Sequence, residues 1–136
     1  MRMLMLSAAI IAATAFSAPA QEATDLSKPI VALTGVLAKN ADTLKLTEAQ
    51  RADLKDWLSM MPAQRKALED ETIALLADLR VAIISGAPVA DRQTLATRIG
   101  ENEAALLMMR SNCTDHWRSV LTPEQFAQLL ALSGLS

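Results

Sequence analysis

The chain contains few of the residues on which many sites and folds depend. Of its 136 residues, one is cysteine, one is histidine, two are phenylalanine and none is tyrosine. A single cysteine cannot form a disulfide within the chain, so no disulfide framework stabilises it. One cysteine and one histidine also offer no arrangement of nucleophile, base and orienting residue. We therefore expect that the protein is not an enzyme.

The scarcity of glycine and aromatic residues also bears on the fold class. Four glycines, with the few aromatics, argue against a β-sandwich or barrel, and no stretch shows the apolar alternation of a strand. Alanine and leucine dominate what remains, which favours helices. The fold class is predicted to be all-α. A net charge of -2 argues against a general nucleic-acid binder, which would carry a basic stripe.

The first twenty residues form a predicted signal peptide. Arg2 precedes an uncharged, mostly apolar run from Met3 to Phe16, and the small residues Ala18 and Ala20 follow. The run is shorter than the roughly 20 residues that span a bilayer, which disfavours the alternative of a retained anchor. We predict cleavage after Ala20, a periplasmic location, no stable membrane anchor and one helical domain over residues 21–136. That mature chain has 12 basic and 15 acidic residues.

Apolar periodicity divides the mature chain into helices and breaks. The predicted elements are a helix opened by Pro29, a break at 40–45, a helix starting at 46–50, a stop at 85–88, a helix over 91–120 and a short helix over 123–132. Pro62 is predicted either to kink one long helix or to separate two. Spacing of four residues predicts ion pairs of Arg65 with Glu69 and of Lys66 with Asp70.

The long helix after the stop carries a seam of residues spaced alternately four and three apart, as in packed helices. The seam consists of Leu95, Ile99, Asn102, Leu106, Met109, Cys113, His116 and Val120. Met109, Cys113 and His116 have the ligand types for copper or zinc. Two alternatives remain open: these three residues are ordinary core, or Cys113 forms an intermolecular disulfide. That the three residues share one helix face does not distinguish a metal site from ordinary core, because all eight seam residues share that face.

One short motif occurs twice, as Leu-Thr-Glu-Ala-Gln at 46–50 and Leu-Thr-Pro-Glu-Gln at 121–125. The threonine suits the N-cap position of a helix, and the glutamine three residues later can bond back to the cap residue's amide. The pattern therefore predicts two helices that begin with capping boxes. The motif residues are Leu46, Thr47, Gln50, Leu121, Thr122 and Gln125.

With two such motifs behind an export signal, the chain resembles the Spy/CpxP family of periplasmic proteins. The resemblance implies a long helical hairpin with short flanking helices and a curved, antiparallel homodimer. It also implies ATP-independent binding of unfolded proteins, or docking on the periplasmic domain of a sensor kinase. Relatives similar to CnrX and ZraP respond to metals. This chain departs from the pattern in being acidic and in lacking His-rich ends.

Binding of unfolded client proteins would need apolar side chains exposed beside charges. The candidates, each at or near the edge of an apolar stripe, are Trp57, Met60, Met61, Ile84 and Trp117. The alternative is that these side chains seal helix packing or a dimer interface. We expect an exported chaperone or envelope-stress protein, with a metal-responsive sensor or sensor-kinase adaptor as the alternative.

Overall fold

The described part of the protein, residues 30–136 of a computed structural model, contains four helices and no strand. They are α1 (Thr34–Lys39), α2 (Glu48–Ile84), α3 (Val89–Val120) and α4 (Pro123–Leu132). The all-α prediction is confirmed, with two long helices and short ones flanking them. The predicted signal peptide at 1–20 and Pro29 lie outside the described residues.

The first helix begins later than the sequence pattern predicted. Residues 31–33 are not helical and α1 starts at Thr34, so the prediction of a helix opened by Pro29 was wrong. Leu33 occupies the N-cap position without a capping hydrogen bond from its side chain. Leu33 and Leu37 are buried, whereas Ile30 is 73% exposed. Val31 packs against the core without being helical, and Ile30 gains little apolar burial to offset the entropy of ordering another turn.

Pro62 lies inside α2 and does not end it. The helix runs for 37 residues, about 55 Å at the usual rise per residue. Proline in a helix interior costs about 3 kcal/mol because it removes one backbone donor and crowds the preceding turn. Packing of α2 along α3 must offset that cost, since neither side of Pro62 is interrupted.

The turn between the long helices follows from the predicted stop at 85–88. The amide of Gly86 donates to the carbonyl of Ile83, and the amide of Ala87 donates to that of Ala82. This Schellman arrangement needs a residue in the left-handed region, and Gly86 has φ +71°. A short turn of this kind makes the next helix fold back beside the first.

Helices α2 and α3 pair as an antiparallel hairpin. Asp53 on α2 contacts His116 on α3, and Glu71 on α2 contacts Arg98 on α3. From the first contact to the second, the residue number rises by 18 on α2 and falls by 18 on α3. The two helices therefore stay in register over about 27 Å. Within residues 30–136, no helix has the length and apolar character needed to cross a membrane.

The core lies at the end of the hairpin where α2 begins and α3 ends. Helices α1 and α4 and the 40–47 loop cover that end, and Trp117 and Leu129 have no solvent exposure. The buried cluster contains Leu33, Leu37, Leu44, Leu46, Leu54, Trp117, Leu121 and Leu129.

The predicted seam is confirmed as the packed face of α3. Leu106 is buried, and the other seven seam residues are all partly buried. The two ion pairs predicted within α2 are also present, Arg65 with Glu69 at 2.7 Å and Lys66 with Asp70 at 2.6 Å.

Candidate functional site

Both short motifs form the capping boxes that their sequence predicted. The Gln50 amide donates to Thr47 Oγ1 at 3.2 Å, and the Thr47 amide donates to Gln50 Oε1 at 3.0 Å. In the second motif the Gln125 amide donates to Thr122 Oγ1 at 3.1 Å, and the Thr122 amide to Gln125 Oε1 at 3.0 Å. Each box satisfies amides that have no partner within the helix.

The two glutamine side chains also bond to each other, which joins the motifs. Gln50 Nε2 donates to Gln125 Oε1 at 2.8 Å, and Gln125 Nε2 donates to Gln50 Oε1 at 3.1 Å. Each amide donates once more, Gln50 to the carbonyl of Val120 and Gln125 to that of Leu44. A side-chain amide has two donors and two acceptor positions, and here all four are used on both residues. We call Gln50 and Gln125 the glutamine clasp; it ties the start of α2 to the start of α4.

His116 lies in an aromatic cluster against α2. Its Nε2 is 2.6 Å from Asp53 Oδ2, and its ring stacks on Trp57 with a centroid separation of 4.0 Å and an interplanar angle of 14°. Trp117 packs edge-on against both rings. These contacts hold the imidazole of His116 against α2. His116 itself lies on α3, about one helical turn after Cys113.

Cys113 forms a hydrogen bond with α1. Its Sγ lies 3.1 Å from Thr34 Oγ1, which also accepts a hydrogen bond from Trp117 Nε1 at 2.9 Å. The hydroxyl of Thr34 thus connects α1 to two side chains of α3. Cys113 is a free thiol and is partly buried.

A cavity of about 430 Å³ opens where α1, α2 and α3 meet. We call it the three-helix cavity. Its wall is mainly apolar or sulfur-containing, with charged groups at Arg65, Glu69 and Arg110. The remaining lining residues are Thr34, Gly35, Trp57, Leu58, Met61, Pro62, Met109 and Cys113.

The structure places the three predicted metal ligands in two environments. Met109 and Cys113 both line the three-helix cavity, whereas His116 does not line it and contacts Asp53. Among residues 30–136, no group of three or more histidine, cysteine, aspartate or glutamate residues is placed to hold a metal ion. A copper or zinc site at Met109, Cys113 and His116 stays a prediction.

The five predicted client-binding residues differ in exposure. Ile84 is 80% exposed and Met60 is 52% exposed. Trp57 and Met61 are partly buried and line the three-helix cavity. Trp117 is fully buried and belongs to the core, so it presents no surface to a partner.

Two contributors to this region, Asp53 and Thr34, were not singled out from the sequence. Asp53 lies four residues before Trp57, so the two share a face of α2, and this spacing was an available signal. Nothing local marks Thr34, because its two partners are 79 and 83 residues away in the chain.

The chain was compared with known protein families, and one family model matches the helices described above. The family model described as "LTXXQ motif family protein" matches residues 33–133. That range contains α1 to α4, both capping boxes and the glutamine clasp. No curated protein and no solved structure matches the chain.

Proposed function

This chain belongs to the LTXXQ motif family, and on that premise we propose that it is an exported periplasmic chaperone that binds unfolded proteins without ATP. The two Leu-Thr-x-x-Gln motifs of the chain agree with this family, and the described residues are folded as helices. The activity itself is our inference. It rests on where the described residues leave apolar side chains exposed.

Client binding is supported by the exposed apolar side chains at the end of the α2–α3 hairpin where α2 turns into α3. Residues 81–90, which we call the hairpin tip, contain no charged residue. Four large aliphatic side chains there are more than half exposed, namely Val81, Ile83, Ile84 and Val89. Several exposed apolar side chains close together, without a charge among them, are typical of an interaction site on a folded protein.

The tip lies at the opposite end of the hairpin from the core. Side chains at the tip can therefore be covered and uncovered without disturbing the packing of Trp117 or Leu129. Each buried square ångström of apolar surface contributes about 25 cal/mol, so a few aliphatic contacts give weak, reversible binding. Weak contacts of low specificity suit many different unfolded chains. They also need no nucleotide, because release follows from the small binding free energy.

The test is light scattering of an aggregating client protein in the presence of the purified chain and no nucleotide. We expect suppression near stoichiometric ratios. A variant with Ile83→Ser, Ile84→Ser and Val89→Ser should lose most of it while melting at an unchanged temperature. The matched control is Leu132→Ser with Leu135→Ser, which removes exposed apolar side chains outside the hairpin.

Two results would count against this function. Absence of suppression by the parent chain would move the proposal to the sensor-kinase adaptor, which binds one receptor domain and does not protect unrelated proteins. Suppression that survives the triple substitution would remove the hairpin tip as the binding surface.

We also propose that the protein works as a homodimer, as the family resemblance implies. Among residues 30–136, few side chains outside the core cluster are buried, namely Thr72, Leu75 and Leu106. A hairpin with so little burial of its own gains stability from a second copy. Sedimentation equilibrium measures the mass directly, and a monomer at micromolar concentration would contradict the proposal.

A further inference from the structure

The three-helix cavity has the size and wall of a small-molecule site. Its volume of about 430 Å³ lies within the roughly 300–1,000 Å³ range of ligand pockets. Trp57, Leu58, Met61, Pro62, Met109 and Cys113 supply the apolar part of the wall. Thioether and thiol groups are polarisable and adapt to irregular apolar shapes. The apolar part of a ligand would therefore contact an aromatic ring and three sulfur atoms.

The charged residues of the wall give the cavity a net charge. Arg65 and Glu69 form an ion pair, and their side chains are only 25% and 15% exposed, so solvent screens the pair incompletely. Because these two charges balance each other, Arg110 leaves the lining with a net charge of +1. The chain as a whole carries -2. The cavity is thus a locally positive, largely apolar space in an acidic protein.

We propose that the three-helix cavity binds a medium-chain carboxylate, with the alkyl tail along Trp57 and Met109 and the carboxylate at Arg110. A guanidinium group pairs with a carboxylate through charge-assisted hydrogen bonds. A cavity volume of about 430 Å³ suits a small ligand, and decanoate serves as the medium-chain carboxylate probe. A cation would meet the excess positive charge, and an uncharged alcohol would accept a hydrogen bond from Arg110 without the attraction between opposite charges.

Helix α1 provides a way to fill the cavity without damaging the fold. Gly35 lines the cavity, its φ is not in the left-handed region, and a Cβ built there meets no atom within 4 Å. Gly35→Leu therefore introduces a side chain into open space at the cavity wall. It also replaces the residue of low helix propensity within α1, so the variant should be at least as stable as the parent.

The experiment is calorimetric titration of the purified, metal-free chain with decanoate below its micelle concentration. We expect saturable binding at one site per chain, about tenfold weaker binding of 1-decanol, and no saturable binding of decyltrimethylammonium. Gly35→Leu should abolish decanoate binding at an unchanged or higher melting temperature. Arg110→Gln should bind decanoate no better than 1-decanol. Arg80→Gln, which removes an exposed charge near the hairpin tip, is the matched control and should bind as the parent does.

A second measurement locates the ligand independently of any folding effect. Cys113 is the only cysteine and lines the cavity, so bound decanoate should slow its alkylation by a thiol reagent. The alkylation rate of Gly35→Leu should not respond to decanoate. No saturable binding, equal binding of decanoate and 1-decanol, or undiminished binding by Gly35→Leu would overturn the proposal. No client protein is present, so the outcome is independent of the chaperone activity.

Discussion

The glutamine clasp allows one substitution to distinguish two roles of the short motif. If Gln50 served only its own capping box, glutamate would replace it well. Glutamate suits that position in a capping box, and its charge is favourable at a helix N-terminus. The structure predicts the opposite for Gln50→Glu. A carboxylate cannot donate, yet the Gln50 side-chain nitrogen donates to Gln125 Oε1 and to the Val120 carbonyl.

The magnitude follows from the bonds that change. Two donated hydrogen bonds are lost, each contributing about 0.5–1.5 kcal/mol. The Val120 carbonyl then lacks this donor, and the Gln125 oxygen faces a carboxylate oxygen in a partly buried place. Leaving such a group unpaired adds about 1–3 kcal/mol. The favourable charge at the start of α2 returns about 0.3–1 kcal/mol. We expect Gln50→Glu to destabilise the protein by about 2–4 kcal/mol near neutral pH.

Urea unfolding followed by circular dichroism measures the change in the free energy of unfolding. Gln64→Glu is the matched control, since Gln64 is exposed in the middle of α2; its effect should stay within about 0.5 kcal/mol. In a double-mutant cycle, Gln50→Ala and Gln125→Ala should show a coupling of about 1–2 kcal/mol, because the side chains contact each other directly. A Gln50→Glu protein as stable as the parent, or additive alanine variants, would show that the clasp is not a stabilising unit.

Two further predictions concern stability and are measured by the same unfolding assay. Lys45 has φ +52°, and Lys45→Gly should stabilise the protein by up to about 1 kcal/mol, whereas Gly86→Ala, at φ +71°, should destabilise it by about 1 kcal/mol. If Lys45→Gly destabilised the protein and Gly86→Ala stabilised it, the left-handed backbone conformation of these two residues would be contradicted. Asn102 Nδ2 on the α3 seam is buried without a hydrogen-bond partner in the described part of the chain. Asn102→Leu should therefore stabilise the hairpin by about 1 kcal/mol, and a loss of stability would indicate that the amide is satisfied in solution.

Several features of the fold were predictable because they depend on hydrogen bonds and spacings within one helical turn. The capping boxes at Thr47 and Thr122 need only residues three apart, and both formed. The stop at 85–88 needs only a residue suited to the left-handed region, which Gly86 supplies. Helix α4 occupies the predicted range 123–132, and α3 begins two residues before the predicted 91.

Other features depended on which segment covers which face. Local signals left Pro62 as a kink or a boundary, and only pairing with α3 shows that α2 continues through it. Position beside the seam made Trp117 a candidate surface residue, but α1 packs over it and Thr34 accepts its indole hydrogen bond. The helix predicted from Pro29 was wrong because the chain becomes helical only at Thr34, between the buried Leu33 and Leu37.

The sequence by itself determined that the chain is helical, where its long helices turn and how two of the helices are capped. These are local properties, because the relevant donors, acceptors and apolar residues lie within four positions of one another. The tertiary structure alone decided that Gln50 bonds to Gln125, that His116 bonds to Asp53 whereas Cys113 bonds to Thr34, and that Met109 lines a cavity with Met61. Such contacts join residues roughly 50 to 80 positions apart. The antiparallel docking of α2 and α3 and the placement of α1 over their end create them, and no local pattern encodes that geometry.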